Sequence, residues 1–425
     1  MHVRITFLIR RSALQRTGAA RGFLLGLGWI SATVLLFPMT GDAQLPEYVL
    51  EPTVRIGSVD DPESALDIVT VLAQAPDGRL AIAQPTEASI WIFSPSGERL
   101  QVVGGRGDGP GEFRAISAMG WRGDTLWAAD GRLFRVTFLD LEGGAPTVVG
   151  GPGRHVEGVI RAPLPSAEGL WVLYRRWIVD PEVRTYREEI WSADDSWEPL
   201  ERLAILPEGP DGFWIQLPGV QRAARRTHPM GEHPLFAVSP DVSTLTTVRR
   251  EVDRGGYAVT RVRVGGDTVF HREHAVGLET VTGDTRTGIL EQYLSVETLQ
   301  RLAPSTRALR GAVESALDLP PSHPAVTKLV VGSDGSTWLR GPDDRSGTVR
   351  WTVLDPSGEP QFTVRTAREI GMFQGEIETQ NLVRLAADER GIWAVVQDEL
   401  EVPYVVRYEL LPPPGGAGEC DAAVQ

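Results

Sequence analysis

The chain contains almost no cysteine and almost no lysine. Its 425 residues include one cysteine, Cys420, in a Gly/Pro-rich C-terminal stretch, so no intrachain disulfide can form. Lys328 is the single lysine, and the remaining Lys/Arg positions are all arginine. Two interpretations of this bias stay open: the codon usage of a GC-rich genome, or selection for the bidentate contacts that arginine makes with anions.

An excess of positive charge is also missing. The formal net charge is -14, which argues against a broad basic face and predicts that the protein has no nucleic-acid partner. With 42% hydrophobic and 23% charged residues, the composition is that of a globular chain with a large core.

No catalytic or metal-binding motif is present. The chain has no H-E-x-x-H and no G-x-S-x-G sequence, and Asp60-Asp61-Pro62-Glu63 lacks the spacing of a calcium loop. The histidine pairs His228/His233 and His271/His274 lack a nearby acidic pattern. We therefore predict no cofactor, with a divalent metal as the alternative.

The N-terminal residues 1–43 have the pattern of a signal sequence. A basic stretch from Arg4 to Arg21 precedes an uncharged apolar run over residues 22–39, and Gly41-Asp42-Ala43 places small residues at a cleavage site. The run is also near the minimum length for a membrane span. The pattern predicts a protein that is periplasmic, extracellular, or anchored by an uncleaved N-terminal segment, which would be its only contact with a membrane.

A repeat runs through the rest of the chain. Five segments share an apolar strand, a tight turn of Asp/Gly type, and a second apolar strand that often carries Trp. These segments are Val71–Ile82, Ala118–Ala129, Ala162–Leu173, Leu329–Leu339 and Leu385–Val396.

Each segment is followed by a second hairpin, with a degenerate fourth unit over residues 234–272. Four strands per unit, repeated about every 45 to 55 residues, predict an all-β, six-bladed β-propeller over residues 44–411. The lone strand Tyr48–Ile56 is predicted to supply the fourth strand of the last blade and so to close the ring. Residues 412–425 are predicted to be a flexible tail.

The segment Gly104–Phe113, with the sequence GGRGDGPGEF, resembles the G-x-G-x-G-P-G-x-F inter-blade segment of NHL-like six-bladed propellers. The Ile90–Phe93 strand is similar to the third strand of the same repeats. The chain thus resembles exported bacterial propellers of the NHL-like or TolB-like type. The resemblance implies a fold and no reaction, since such propellers serve many unrelated functions.

In this topology the short turns lie on one face, and the long connections lie on the other. Three long segments stand out: an extended hairpin over residues 174–186, the connection 207–234, and an insertion over about residues 285–319. The insertion is predicted to contain two amphipathic helices separated by Pro304. Whether they cover the propeller as a partial lid or pack at its rim is left open.

Basic and aromatic residues of these loops are the candidate ligand-binding set, predicted to form an anion-binding funnel at the channel mouth. They are Arg106, His155, Arg175, Arg176, Trp177, Arg225, Arg226 and His228. The alternative is that they pair with nearby carboxylates such as Glu182, Glu188 and Glu232.

The expected function is that of a non-catalytic binding or scaffolding module whose partner is a protein, a peptide or a small anion. The alternative is a lactonase-like hydrolase or lyase with a metal at the channel mouth. A third interpretation, a sugar- or polymer-binding module, rests on the twelve Trp residues.

Overall fold

The computed structural model describes residues 45–411 except 62, 67, 151–153, 156–157, 180–183, 207–211, 222, 231–234, 252–254, 345–346, 368–369, 371–384 and 401. The predicted signal or anchor segment and the predicted C-terminal tail lie outside the described residues. Among the helices of the described part, none is long and apolar enough to cross a membrane.

Two four-stranded antiparallel sheets come first after an initial strand, β1 (Glu47–Ile56). Strands β2 to β5 form sheet 1 and strands β6 to β9 form sheet 2, each in sequence order. Their bounds are β2 Leu72–Gln74, β3 Leu80–Gln84, β4 Ser89–Phe93, β5 Arg99–Gly104, β6 Ile116–Arg122, β7 Thr125–Asp130, β8 Arg135–Leu139 and β9 Thr147–Gly150.

Sheet 3 contains β10 to β14 in sequence order, and its central hairpin is long. The bounds are β10 Arg154–His155, β11 Gly158–Ser166, β12 Gly169–Val179, β13 Arg184–Ala193 and β14 Pro199–Ile205. Strands β12 and β13 have 11 and 10 residues, against 6 and 5 for the equivalent β7 and β8. The predicted extension of this hairpin is therefore confirmed.

Sheet 4 follows a small two-stranded hairpin. The hairpin is β15 (Gly212–Ile215) with β16 (Ala224–Thr227). Sheet 4 consists of β17 Leu235–Val238, β18 Thr244–Glu251, β19 Gly256–Arg263 and β20 Thr268–Ala275. The degenerate fourth unit of the sequence thus forms the four predicted strands.

The last sheet has eight strands, in the order β21-β22-β23-β24-β1-β27-β26-β25. Its first half is β21 Lys328–Val331, β22 Thr337–Asp343, β23 Thr348–Leu354 and β24 Pro360–Ala367. Its second half is β25 Leu385–Asp388, β26 Gly391–Gln397, β27 Pro403–Leu411 and β1. Strand β1 pairs antiparallel with β27, as predicted, and its first three residues also pair in parallel with β24, which joins the halves.

Tight turns join the first and second strands of the repeated units within the predicted segments. Gly78, Gly335 and Gly391 have φ values of +88°, +85° and +154°, which L residues with a Cβ rarely adopt. The Trp residues after these turns, among them Trp338 and Trp393 at 1% exposure each, are buried. Glycine at positive φ and a buried Trp recur in the repeated units, and these two requirements explain why the repeat could be predicted from the sequence.

Hydrophobic clusters lie between successive sheets rather than inside one common core. Complete burial of a large apolar side chain contributes roughly 1.5–3 kcal/mol, so these clusters hold neighbouring sheets together in a propeller-like arrangement. Representative members are Phe113 between sheets 1 and 2, Trp127 between sheets 2 and 3, Trp171 between sheets 3 and 4, Leu354 between sheet 4 and the eight-stranded sheet, Trp338 between the two halves of that sheet, and Trp393 between its second half and sheet 1.

The helical insertion packs on the β15–β16 hairpin. It contains three helices instead of the predicted two. Its three helices are α1 (Gly283–Leu294), α2 (Glu297–Leu302) and α3 (Thr306–Ala316). The prediction of two helices was wrong because Val296 adopts an extended conformation and breaks the first predicted helix. The hairpin and the three helices, here called the helical subdomain, share one apolar cluster that includes Phe213, Tyr293 and Leu309.

Candidate functional site

The two ends of the sheets differ as the sequence predicted. Since successive strands run antiparallel, the turns between the first and second and between the third and fourth strands of each four-stranded unit (β11 to β14 in sheet 3) lie at one end, here called the short-turn end. Packing varies among these turns: a Cβ built on Gly78 would lie 3.1 Å from Pro95, whereas one on Gly123, Gly143 or Gly169 would meet no atom within 4 Å. The long connections, including those that carry the helical subdomain, lie at the opposite, long-loop end.

Arg106 belongs to the connection between sheets 1 and 2. Its guanidinium donates a 2.5 Å hydrogen bond to the carbonyl oxygen of Thr86. The connection is anchored by Phe113, which is fully buried and forms an isolated bridge with Arg106. Arg106 thus contributes to holding this loop in place.

Sheet 3 carries the predicted residues Arg175, Arg176, Trp177 and His155. Arg175 forms an ion pair with Glu188 on the neighbouring strand at 2.5 Å, and the two side chains are 23% and 19% exposed. The strand register aligns His155 with Gly158 and Gly158 with Arg176. The side chains of His155 and Trp177 lie outside the described residues.

The helical subdomain holds Arg225, Arg226 and His228. Arg226 donates to the hydroxyl oxygen of Thr298 at 3.1 Å, and the backbone of Arg225 pairs with Trp214. The side chain of Arg225 lies outside the described residues.

His228 is held at both ring nitrogens. Its Nδ1 accepts a hydrogen bond from the main-chain N–H of Met230 at 3.2 Å, so its Nε2 is free to donate to the carbonyl oxygen of Asp318 at 2.7 Å. The structure therefore distributes the predicted set over three separate elements: the sheet 1–2 connection, sheet 3 and the helical subdomain.

A cleft with a mixed polar and apolar lining lies between sheet 4 and the first half of the eight-stranded sheet, at the long-loop end. It has a volume of about 300 Å³. One wall is formed by Tyr257 and the chain after β20, and the other by β22 to β24. The chemistry-bearing residues of its lining are Tyr257, Glu279, His323, Asp344, Arg350, Thr352 and Arg365.

The base of the helical subdomain forms the roof of this cleft. Thr280 and Ser322 form an antiparallel bridge, and the main-chain N–H of His323 donates to the carbonyl oxygen of Glu279 at 2.7 Å. Because the two connecting segments hold each other, Glu279 and His323 are fixed over the cleft.

Two arginines face each other across the β23–β24 pair and share one carboxylate. Arg350 and Arg365 are directly opposite in the register. Glu47 of β1 contacts Nε of Arg365 at 3.0 Å and an Nη of Arg350 at 3.3 Å. The hydrogen bond from Arg365 holds the pKa of Glu47 below its ordinary value, so the carboxylate stays ionised at neutral pH.

The two guanidinium groups are not equally occupied. Arg365 also contacts Asp344 at 3.3 Å. Within the described part of the chain, Glu47 is the carboxylate that contacts Arg350, with its shortest approach of 3.3 Å at Nη2, while the Arg350 side chain is 58% exposed. Arg350 therefore keeps N–H donors that face the cleft.

Tyr257 supplies a hydroxyl group at the opposite wall. Burial raises the pKa of Tyr257 to about 12, so the phenol stays protonated and acts as a hydrogen-bond donor or acceptor at neutral pH. The cleft thus combines donors on Arg350 and Tyr257 with carboxylates on Glu279 and Asp344.

Sequence reasoning did not identify this cleft, although part of the signal was present. The Ser357-Gly358 turn belongs to the second hairpin predicted after the segment Leu329–Leu339, and counting back from this turn already places Arg350 opposite Arg365. What the sequence could not supply is the parallel contact of β1 with β24, which brings Glu47 to both arginines. Among the described residues, no group of three or more His, Cys, Asp or Glu side chains is placed to hold a metal ion.

No protein-family model matches the chain, and no curated protein matches it. Among solved structures, the chain is similar to a protein of Bacteroides fragilis described as exported, with 10% identity, a TM-score of 0.41, and coverage of 87% of this chain and 99% of that one. It is also similar to a DUF4221-family member from Bacteroides vulgatus, with 9% identity, a TM-score of 0.44 and coverage of 87% and 99%. A third similar structure is virginiamycin B lyase from Staphylococcus aureus, with 11% identity, a TM-score of 0.36 and coverage of 86% and 100%.

Proposed function

We propose that the chain is an exported, non-catalytic, six-bladed β-propeller of the NHL-like or TolB-like type that binds a small polar ligand in the cleft between sheet 4 and the eight-stranded sheet. The blade number is supported by counting each half of the eight-stranded sheet as one blade. Every such four-stranded group then shares an apolar cluster with the next, and the last shares one with sheet 1. The N-terminal pattern of residues 1–43 supports export.

The observation that carries the binding role is the combination of spare donors on Arg350 with a Tyr257 hydroxyl and two carboxylates around one cavity. Ligand sites are typically concave and contain a few convergent polar groups. A cavity of about 300 Å³ suits a small molecule rather than a folded partner. The sequence left three candidate partners: a protein, a peptide or a small anion. Of these, we propose a small molecule.

The experiment is a screen of polar metabolites by saturation-transfer NMR, repeated with a variant whose cleft is filled. Val276 lines the cleft and is 37% exposed, so Val276→Trp adds bulk there without entering a core. Val269→Trp is the matched control, since Val269 is a similarly exposed valine outside the cleft lining, at 43%. At least one compound should bind the wild type and the control and lose binding in Val276→Trp.

The same samples also test the non-catalytic part of the proposal. Ligand signals should keep their intensity over hours, and metal analysis of the purified protein should find no stoichiometric divalent ion. Turnover of a bound compound would instead favour the hydrolase or lyase alternative. A screen in which no compound is sensitive to Val276→Trp would reject the cleft as the ligand site.

A further inference from the structure

We infer that the ligand of the cleft is a small monocarboxylate that carries a hydroxyl or ammonium group beside its carboxylate, with Arg350 as the group that binds the carboxylate. This inference rests on the proposed function, because it names the class of ligand for the same site. It concerns recognition only and involves no chemical step.

The two guanidinium groups of the cleft differ in how far protein carboxylates occupy them. Arg365 is engaged by Glu47 through Nε and Nη2 and by Asp344 through Nη1. Arg350 contacts Glu47 with its shortest approach of 3.3 Å at Nη2. The planar guanidinium fork matches a carboxylate in a bidentate manner, and Arg350 is the arginine of the pair that has donors left for it.

The charges around the cavity restrict the charge of the ligand. The positive charges of Arg350 and Arg365 are offset by Glu47 and Asp344, and Glu279 adds a further negative charge at the roof. With three carboxylates against two guanidinium groups, the surroundings oppose a dianion such as phosphate more strongly than a ligand with one negative charge, and an ammonium group on the ligand offsets the excess.

Glu279 is the acidic side chain of the cleft lining that is left for the ligand, because Asp344 already accepts hydrogen bonds from Thr348 and Arg365. An ionised carboxylate accepts hydrogen bonds and donates none. A ligand that occupies the cavity therefore suits Glu279 best when it brings its own donor. An α-hydroxy or α-amino acid places such a donor within one carbon of its carboxylate, which suits a site of this size.

Glu47 has a positioning role in this arrangement. It contacts both Arg350 and Arg365 and competes with a ligand carboxylate for Arg350. Removing its charge in Glu47→Gln should therefore tighten the binding of a carboxylate. If Glu47 only supported the two arginines, the same substitution would weaken that binding.

The experiment measures affinities of alanine, lactate, acetate and inorganic phosphate for the full chain at constant ionic strength, by ligand-observed NMR titration. Alanine and lactate should bind more tightly than acetate, and phosphate should bind most weakly. Arg350→Gln should weaken alanine and lactate by about tenfold or more, while Arg350→Lys should retain part of the affinity. Glu279→Gln should weaken alanine, and it should not weaken acetate, because it removes a negative charge that opposes an anion.

Arg301→Gln is the matched control, since Arg301 is a surface arginine on α2 that also has one carboxylate partner, Glu297. Its affinities should equal those of the wild type. Equal binding of acetate and alanine, tighter binding of phosphate, or unchanged binding in Arg350→Gln would each overturn the inference. If another compound still bound in a manner sensitive to Val276→Trp, the proposed function would stand while the ligand class failed.

Discussion

The guanidinium of Arg261 in β19 donates a 2.6 Å hydrogen bond to the carbonyl oxygen of Gly335, across the boundary between sheet 4 and the eight-stranded sheet. The same group donates to the hydroxyls of Thr246 at 2.9 Å and Thr337 at 2.7 Å. Arg261 is only 4% exposed, and burial lowers its pKa. A buried cation held by neutral acceptors thus joins two neighbouring sheets at the short-turn end.

Replacement of Arg261 is expected to be strongly destabilising. Arg261→Met removes three hydrogen bonds and leaves Gly335 and two threonines without that donor, which should lower the free energy of unfolding by about 3 kcal/mol. Arg263→Met is the control on the same strand, where the side chain is exposed, and should change stability by less than about 0.5 kcal/mol. Urea denaturation measures both, and equal effects would contradict the bridging role of Arg261.

Asp388 is expected to make stability depend on pH. It accepts hydrogen bonds from Arg407 at 2.7 Å and from Gln74 of sheet 1 at 2.8 Å. Burial raises its pKa, but these hydrogen bonds outweigh burial and hold the pKa below the ordinary value of 3.8. As the pH falls, the unfolded chain therefore takes up the proton before the folded chain does. The contribution of ionised Asp388 to the free energy of unfolding is complete above the unfolded pKa and is lost as the pH falls through the folded pKa.

Asp388→Asn tests this dependence, because it leaves Arg407 buried without its charged partner. The variant should lose about 3 kcal/mol at neutral pH, and the difference from wild type should shrink below about pH 4. Asp124→Asn is the control, since that carboxylate lies 3.8 Å from Arg79 and is 96% exposed. A difference for Asp388→Asn that stayed constant from pH 7 to pH 3 would show that the charge of this residue is not the cause.

The first strand is expected to matter as much as any core strand. Ile56 of β1 is 4% exposed and packs in the cluster with Trp393 and sheet 1. Ile56→Ala should therefore cost about 2–4 kcal/mol. Val49→Ala, on the same strand at 45% exposure, should cost less than about 0.5 kcal/mol. If thermal denaturation gave both variants the same midpoint, the packing of β1 would not contribute to stability.

The strand pattern could be predicted because it is encoded locally. The turn at Asp334-Gly335 needs a residue that tolerates positive φ, and the Trp that follows is buried in the next strand. The pairing of β1 with β27 could also be predicted, because the last unit lacked a fourth strand. These features depend on short sequence windows and on counting strands.

The cleft and the helical subdomain could not be predicted for the opposite reason. Arg350 and Glu47 are about 300 residues apart, and only the parallel contact of β1 with β24 brings them together. Likewise, Phe213 and Tyr293 come from two different long connections. The arginine-rich segments of the sequence predicted a ligand site, whereas in the structure Arg175 pairs with Glu188, and Arg106 and Arg226 bond to protein oxygen atoms.

The helical subdomain is expected to open without unfolding the sheets. Phe213 is 8% exposed and contacts Tyr293 edge-on, with ring centroids 5.3 Å apart, in a cluster whose described members all belong to the helices, the β15–β16 hairpin and the residues that adjoin them. Phe213→Ala should remove about 3–5 kcal/mol from this small core. Hydrogen exchange should then accelerate in α1 to α3 while the strands of sheets 1 and 2 keep their protection, because those strands belong to separate clusters.

Trp214→Ala is the control for this prediction. The substitution removes a still larger side chain than Phe213→Ala does, but Trp214 is 56% exposed. It should leave exchange in the helices almost unchanged. If Phe213→Ala accelerated exchange equally in all sheets, the helical subdomain would have to unfold together with the propeller-like body. That outcome would mean that the base of the subdomain, where the Thr280–Ser322 bridge and the Glu279–His323 hydrogen bond lie, transmits its stability to sheet 4 and hence to the cleft beneath it.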